Sequence, residues 1–182
     1  MIGLLGLAGA GQAQRIEAAG NAGFGIVDRN GFGRPTAVLG GVTIGWPYSA
    51  TQRVQFDYAL NHFERECGGC GSVSYNRHFF TGSYVIEPRA RVRPFLQIGA
   101  GVQYETNNGN QVIRAIWPAG GIRDTDAYDF RTVFAGVLGA GLTVQLGHSA
   151  FIRPQIRAYL APGPVHSVNL TAMPAIGMGW RF

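Results

Sequence analysis

The chain has 182 residues, 28 of them glycine, and a net charge of +5 set by 15 arginines, with no lysine, against 10 acids. Glycine at this density argues against a helical bundle, because each one inside a helix costs about 1 kcal/mol relative to alanine. The chain holds no run of 18 apolar residues that could cross a bilayer as a helix, and the arginines stand singly, without the basic run that nucleic-acid binding calls for.

Residues 1–13, MIGLLGLAGAGQA, read as the apolar core and small-residue cleavage site of a secretory signal, leaving residues 14–182 as one domain. The rest divides into eight runs in which side chains alternate in character, as a strand with two different faces requires. Residues 15–27 place Ile16, Ala18, Ala22, Phe24 and Ile26 opposite Glu17, Asn21 and Gly25, and DRNGFGR then turns the chain. Residues 36–46 set Val38, Val42, Ile44 and Trp46 against Leu39, Gly41, Thr43 and Gly45. Residues 52–66 set Val54, Phe56, Tyr58 and Leu60 against Arg53, Gln55, Asp57, Ala59 and Asn61, and CGGCGS closes them. The fourth run, 73–87, has an ambiguous phase at its start and then opposes Phe80, Tyr84 and Ile86 to Phe79, Thr81, Ser83 and Val85.

In the fifth run, 93–105, Leu96, Ile98, Val102 and Tyr104 alternate with Arg93, Phe95, Gln97, Gln103 and Glu105. A long connection, 106–127, follows. The sixth run, 128–146, opposes Phe130, Phe134, Leu138 and Leu142 to Arg131, Ala135 and Thr143. The seventh, 151–161, opposes Ile152, Ile156 and Leu160 to Arg153, Gln155, Arg157 and Tyr159. The last stretch, 165–182, carries Val168, Leu170, Ile176, Met178, Trp180 and Phe182 on one face and Asn169, Thr171, Gly177, Gly179 and Arg181 on the other.

One oily and one small or polar face per run suits a strand set between hydrocarbon and a crowded interior. The connections alternate too, being long or glycine-rich at 28–35, 67–72, 106–127 and 162–164 and short at 47–51, 88–92 and 147–149. The final stretch, with Ile176, Met178, Trp180 and Phe182 in alternation, resembles the closing strand of bacterial outer-membrane barrels. From residue 14 onward the chain resembles the OmpA-like and OmpX-like eight-stranded family. The resemblance implies an all-β, eight-stranded antiparallel up-and-down transmembrane barrel in the bacterial outer membrane. Both termini would lie in the periplasm and the longer loops at the cell surface. It also implies that the closing-strand set serves as the signal for the barrel-assembly machinery. Pro174 departs from the family pattern, so a ladder hydrogen bond is lost there or the strand bulges.

An eight-stranded barrel is just filled by its own side chains. Glu17, Arg53, Asp57, Arg93, Glu105, Arg131, Arg153 and Arg157, with Arg181, are therefore expected as an interior charge network, acids and bases interleaving along the axis and surplus arginine reaching an end. Cys67 and Cys70 suit a tight disulfide in an oxidising compartment. Zinc shared with His62 and His78 is the weaker reading, so no metal and no cofactor is expected. The adjacent pairs His148-Ser149 and His166-Ser167 match no hydrolase motif, and an enzyme is not expected. Ile113, Ile116 and Trp117 make the long loop too apolar for a solvated tip and mark it as a partner or self-association surface. Arg114 and Arg123 beside them suit lipopolysaccharide phosphates. The chain reads as a structural, surface-exposed or adhesive membrane protein contacting outer-membrane lipid and lipopolysaccharide. The alternatives are a lipid A-modifying enzyme, a narrow solute channel, and a soluble, lipocalin-like barrel with its apolar faces inward.

Overall fold

The period-two alternation is obeyed by eight antiparallel strands in the computed structural model, which describes residues 15–28, 36–67, 71–88, 90–107, 130–162 and 168–182. They are β1 (Glu17–Asp28), β2 (Thr36–Pro47), β3 (Gln52–Cys67), β4 (Gly71–Ile86), β5 (Val92–Asn107), β6 (Phe130–Gln145), β7 (Ala150–Pro162) and β8 (Val168–Arg181). Each pairs with its sequence neighbours, and β8 pairs with β1 to close the barrel. A closed sheet leaves no unpaired edge along the seam, which a lipid surround requires.

The register fixes the tilt. Stepping across paired residues from Ala18 through Ile44, Phe56, Gly82, Ala100, Gly136, Leu160 and Leu170 returns to β1 at Asp28, ten residues beyond the start. Ten residues of about 3.3 Å against eight strands of about 4.8 Å incline the strands by about 40°. The same ten residues then rise about 25 Å along the axis, the height of the apolar band on a membrane barrel.

That band faces outward. Val38, Phe56, Leu96, Ile98, Phe134 and Ile176 are each more than 60 % exposed, while Glu17, Arg53, Asp57, Arg153 and Arg157 are buried. The arrangement is the inverse of a soluble ligand-carrying barrel, which removes that alternative. Exposed Trp46, Tyr48 and Trp180 gather at the end with the short connections, where the Tyr48 and Tyr84 rings lie 6.1 Å apart. Nearer the opposite end, Tyr58, His78 and Tyr104 form an outward aromatic and imidazole row, with the Tyr58 hydroxyl 3.0 Å from His78 Nδ1. Two girdles bounding an apolar band are what the two lipid–water interfaces select.

Two outward prolines interrupt ladders without shifting them. The β1–β8 pairing lapses between Gly23↔Ala175 and Ile26↔Ala172, across from Pro174, and resumes in the same register. The β6–β7 pairing lapses likewise between Gly141↔Gln155 and Val144↔Ile152, at Pro154. Of the two outcomes expected at Pro174, the lost hydrogen bond is realised and the bulge is not. Four of the strands, β2, β3, β5 and β7, outrun the expected runs. β3 and β4 stay paired to Cys67↔Gly71, so the expected connection 67–72 shrinks to residues 68–70.

Candidate functional site in the barrel interior

Every second residue of each strand points inward, and among the described residues the interior charges fall into three groups. The end bearing the short connections holds the largest. Glu17 and Glu87 sit among Arg53, Arg93, Arg153 and Arg181. Arg153 Nη2 donates to Glu17 Oε2 at 2.7 Å and Arg181 Nε to Glu17 Oε1 at 2.7 Å. Arg53 Nη1 donates to Glu87 Oε2, and its Nε lies 3.7 Å from Glu17. Arg181 Nη2 lies 3.4 Å, and Arg93 Nη1 3.6 Å, from Glu87 Oε1.

Two phenylalanines build the floor of this group. The guanidinium carbons of Arg53 and Arg153 stand 5.7 and 5.5 Å from the Phe95 ring centre, and those of Arg153 and Arg181 stand 4.6 and 5.4 Å from that of Phe151. Such stacking stabilises a cation where water is scarce. Glycine on the neighbouring strand makes room for each ring. A Cβ on Gly141 would come within 2.7 Å of Phe95, and one on Gly179 within 2.6 Å of Phe151.

The middle group centres on Asp57. Its carboxylate accepts from Thr43 Oγ1 at 2.6 Å, Gln55 Nε2 at 2.9 Å and Gln97 Nε2 at 3.0 Å, and Arg157 Nη2 lies 3.0 Å away. Asn21 and Gln155 extend the chain, Gln155 Nε2 donating to Asn21 Oδ1 at 2.8 Å and Asn21 Nδ2 to Thr43 Oγ1 at 2.9 Å. Above it an apolar collar crosses the interior, formed by Leu39, Phe79, Val137, Tyr159 and Met173 with small alanines between them. The Phe79 and Tyr159 rings meet at 4.2 Å. Beyond the collar, fully buried Arg77 pairs with Glu105 and donates to Thr171 Oγ1 at 3.3 Å, its guanidinium 4.9 Å from the Phe63 ring.

Of the expected interior set, Glu17, Arg53, Asp57, Glu105, Arg153 and Arg157 are buried inside, but the set does not form one interleaved series. Glu17, Arg53 and Arg153 come together and Asp57 meets Arg157, while Glu105 pairs with Arg77, a residue outside the expected set. Arg93 is partly exposed at the mouth, where its Nε donates to the Ala90 carbonyl at 2.9 Å. Arg131 stands at the opposite rim with Nη2 donating to the Pro162 carbonyl at 2.8 Å. Arg77 and Glu87 are not in the expected set because the fourth run has an ambiguous phase at its start and Glu87 is its terminal residue. Counting in twos from Phe79 reaches both. The apolar collar is not evident from the alternation, because Phe79 and Tyr159 share their faces with polar residues such as Thr81 and Arg157.

Ile176, Met178, Trp180 and Phe182 all point outward, each more than half exposed. His148 and Ser149 form a turn, with the Ser149 carbonyl accepting from the Arg181 amide at 3.0 Å. Cys67 closes β3, whereas Cys70 lies outside the described residues, and with it the expected bridge. Residues 1–13, the loop residues Ile113, Ile116 and Trp117, and the His166-Ser167 pair lie outside them as well.

No family model and no curated protein matches the chain. Its fold is nevertheless that of solved eight-stranded outer-membrane barrels. It is similar to Neisserial surface protein A, at 12 % identity and a TM-score of 0.69, over 92 % of this chain and 97 % of that one. It is similar to Ail, the attachment invasion locus protein of Yersinia pestis, at 13 % identity and a TM-score of 0.62, over 94 % of this chain and 100 % of that one. The N-terminal β-barrel domain of Pseudomonas aeruginosa OprF is 15 % identical with a TM-score of 0.54, over 91 % of this chain and 97 % of that one. At these identities the likeness is one of fold.

Proposed function

We propose that this chain is a bacterial outer-membrane barrel that acts at the cell surface through its loops, as a structural or adhesive protein, with no catalytic role and no flux through its interior. The observation carrying this reading is the inversion of the usual protein, with an apolar exterior encircling all eight strands and charges sealed inside against a collar of Phe79, Tyr159 and Met173. An interior so occupied leaves the outer surface and the loops as the parts that can meet a partner. The long connection supplies Ile113, Ile116 and Trp117 for a second copy or a surface ligand, with Arg114 and Arg123 beside them for lipopolysaccharide phosphates. Attachment is in the name of Ail, a protein of the same fold.

The test uses single cysteines in a variant lacking Cys67 and Cys70, placed at residue 118 of the long connection and at Ser149 of a short one. A membrane-impermeant maleimide on intact cells should label the first and spare the second. The reverse pattern overturns the sidedness. Replacing Ile113, Ile116 and Trp117 by serine should leave the barrel folded in the membrane and abolish cell–cell or cell–surface attachment. Unchanged attachment overturns the role assigned to that loop.

A further inference from the structure

The charge group at the short-connection end does not balance. Four arginines, Arg53, Arg93, Arg153 and Arg181, face two carboxylates, Glu17 and Glu87, and each carboxylate already has three or more of them within 4.0 Å. The nearest other polar partners, Gln55, Gln145 and Thr143, are neutral. Gln55 Oε1 accepts from Arg53 Nε at 3.3 Å, Gln145 Oε1 from Arg181 Nη1 at 2.7 Å and Thr143 Oγ1 from Arg153 Nε at 3.1 Å. Two positive charges are left over in a space walled by strands and by the Phe95 and Phe151 rings.

A second observation is independent of this count. Arg53 is only 4 % exposed, and among the described residues its Nη2 has no hydrogen-bond acceptor, although its Nε and Nη1 are both engaged. A buried guanidinium donor without a partner is costly, and more so beside surplus charge of its own sign. Arg93 and Arg181, whose side chains are 27 % and 11 % exposed, mark where an ion could reach the group from the aqueous mouth. The collar of Phe79 and Tyr159 lies further along the axis, so an ion entering here has no way through.

We propose that this cluster is a binding site for a small inorganic anion of halide size, held by Arg53 Nη2 with the neighbouring guanidinium groups of Arg153 and Arg181. Each edge of a guanidinium group is a fork of N–H donors, and the stacked phenyl rings keep the forks in place. The ion offsets one of the two unbalanced charges of the group and ties β3, β7 and β8 together at their ends. The site is expected to select by size, because an eight-stranded barrel just filled by its own side chains leaves little room for a bulky organic anion.

Crystals of the barrel soaked in sodium bromide should give an anomalous peak within hydrogen-bonding distance of Arg53 Nη2. Density there that is water alone, with no bromide, overturns the site. In parallel, urea unfolding in phospholipid vesicles is compared in sodium chloride and sodium gluconate at equal ionic strength, so that general screening is the same in both. Chloride should raise the midpoint with a saturating dependence on concentration, as a ligand of the native state does. Gln145→Glu places a fixed carboxylate against Arg181, offsets one of the two surplus charges, and should reduce that chloride increment while unfolding in gluconate no earlier than the parent. Equal midpoints in the two salts for the parent, or an unchanged increment in Gln145→Glu, overturns the proposal. The bromide result stands on the parent protein even if the variant fails to fold.

Discussion

Arg77 and Glu105 face each other with side chains 0 % and 1 % exposed, so neither charge has water to fall back on. Breaking such a pair costs more than the pair contributes, because the survivor stays buried after losing its counter-charge here. Glu105→Ala is expected to lower the free energy of unfolding, measured by urea titration in vesicles, by about 3–5 kcal/mol. The double variant Arg77→Met, Glu105→Leu should recover most of that loss, since it removes both charges and keeps the volume. Asn61 presents the opposite case. It is fully buried and, among the described residues, neither of its amide atoms has a partner, so it is an unsatisfied polar group on the loop side of the collar. Asn61→Leu should raise stability by about 1 kcal/mol in the same titration. Which residues are interior was legible by counting in twos, Asn61 included. Which charge meets which was not, because partners such as Glu17 and Arg153 lie 136 positions apart in sequence and are brought together by barrel closure and stagger.

At the scale of the element, the strands are longer than their oily stretches. β3 and β4 each run 16 residues and remain paired to Cys67↔Gly71, whereas outward apolar character gives way at His62 and Asn76, whose side chains bond each other at 2.7 Å. Alternation between oil and polarity reports the bilayer, so it fades where the bilayer ends, while the backbone ladder goes on. That is why the runs were legible and their loop-side ends were not. The closing seam carries a testable weakness. Pro174 has no N–H to donate, and the β1–β8 ladder lapses opposite it although the register holds. Pro174→Val restores a donor on a face that already tolerates apolar bulk. It should slow hydrogen exchange at the seam around Phe24 and raise stability by about 1 kcal/mol. No gain in either measurement would mean that the gap is set by strand curvature and not by the proline.

For the whole molecule, strand number and stagger together set an interior that side chains can fill, and the sequence decides what fills it. Large apolar residues occupy one level, where Leu39, Phe79, Val137, Tyr159 and Met173 meet, and ionisable groups occupy the levels on either side. An ion following the axis would leave the arginine-rich end, pass the Asp57 network and reach a level lined mostly by apolar side chains, where loss of hydration goes largely uncompensated. The parent protein is therefore expected to show no steady single-channel conductance in planar bilayers. Replacing Phe79 and Tyr159 together by alanine removes the rings that meet at 4.2 Å while leaving the ion pairs on both sides in place. That variant should conduct, and it should favour anions, because the surplus of arginine over acid at the short-connection end attracts them and repels cations. A silent double variant that is still folded by heat-modifiable mobility on gels would place the barrier in the charged layers instead. Cation preference would show that the carboxylates Glu17 and Glu87, and not the guanidinium groups, set the potential at that mouth.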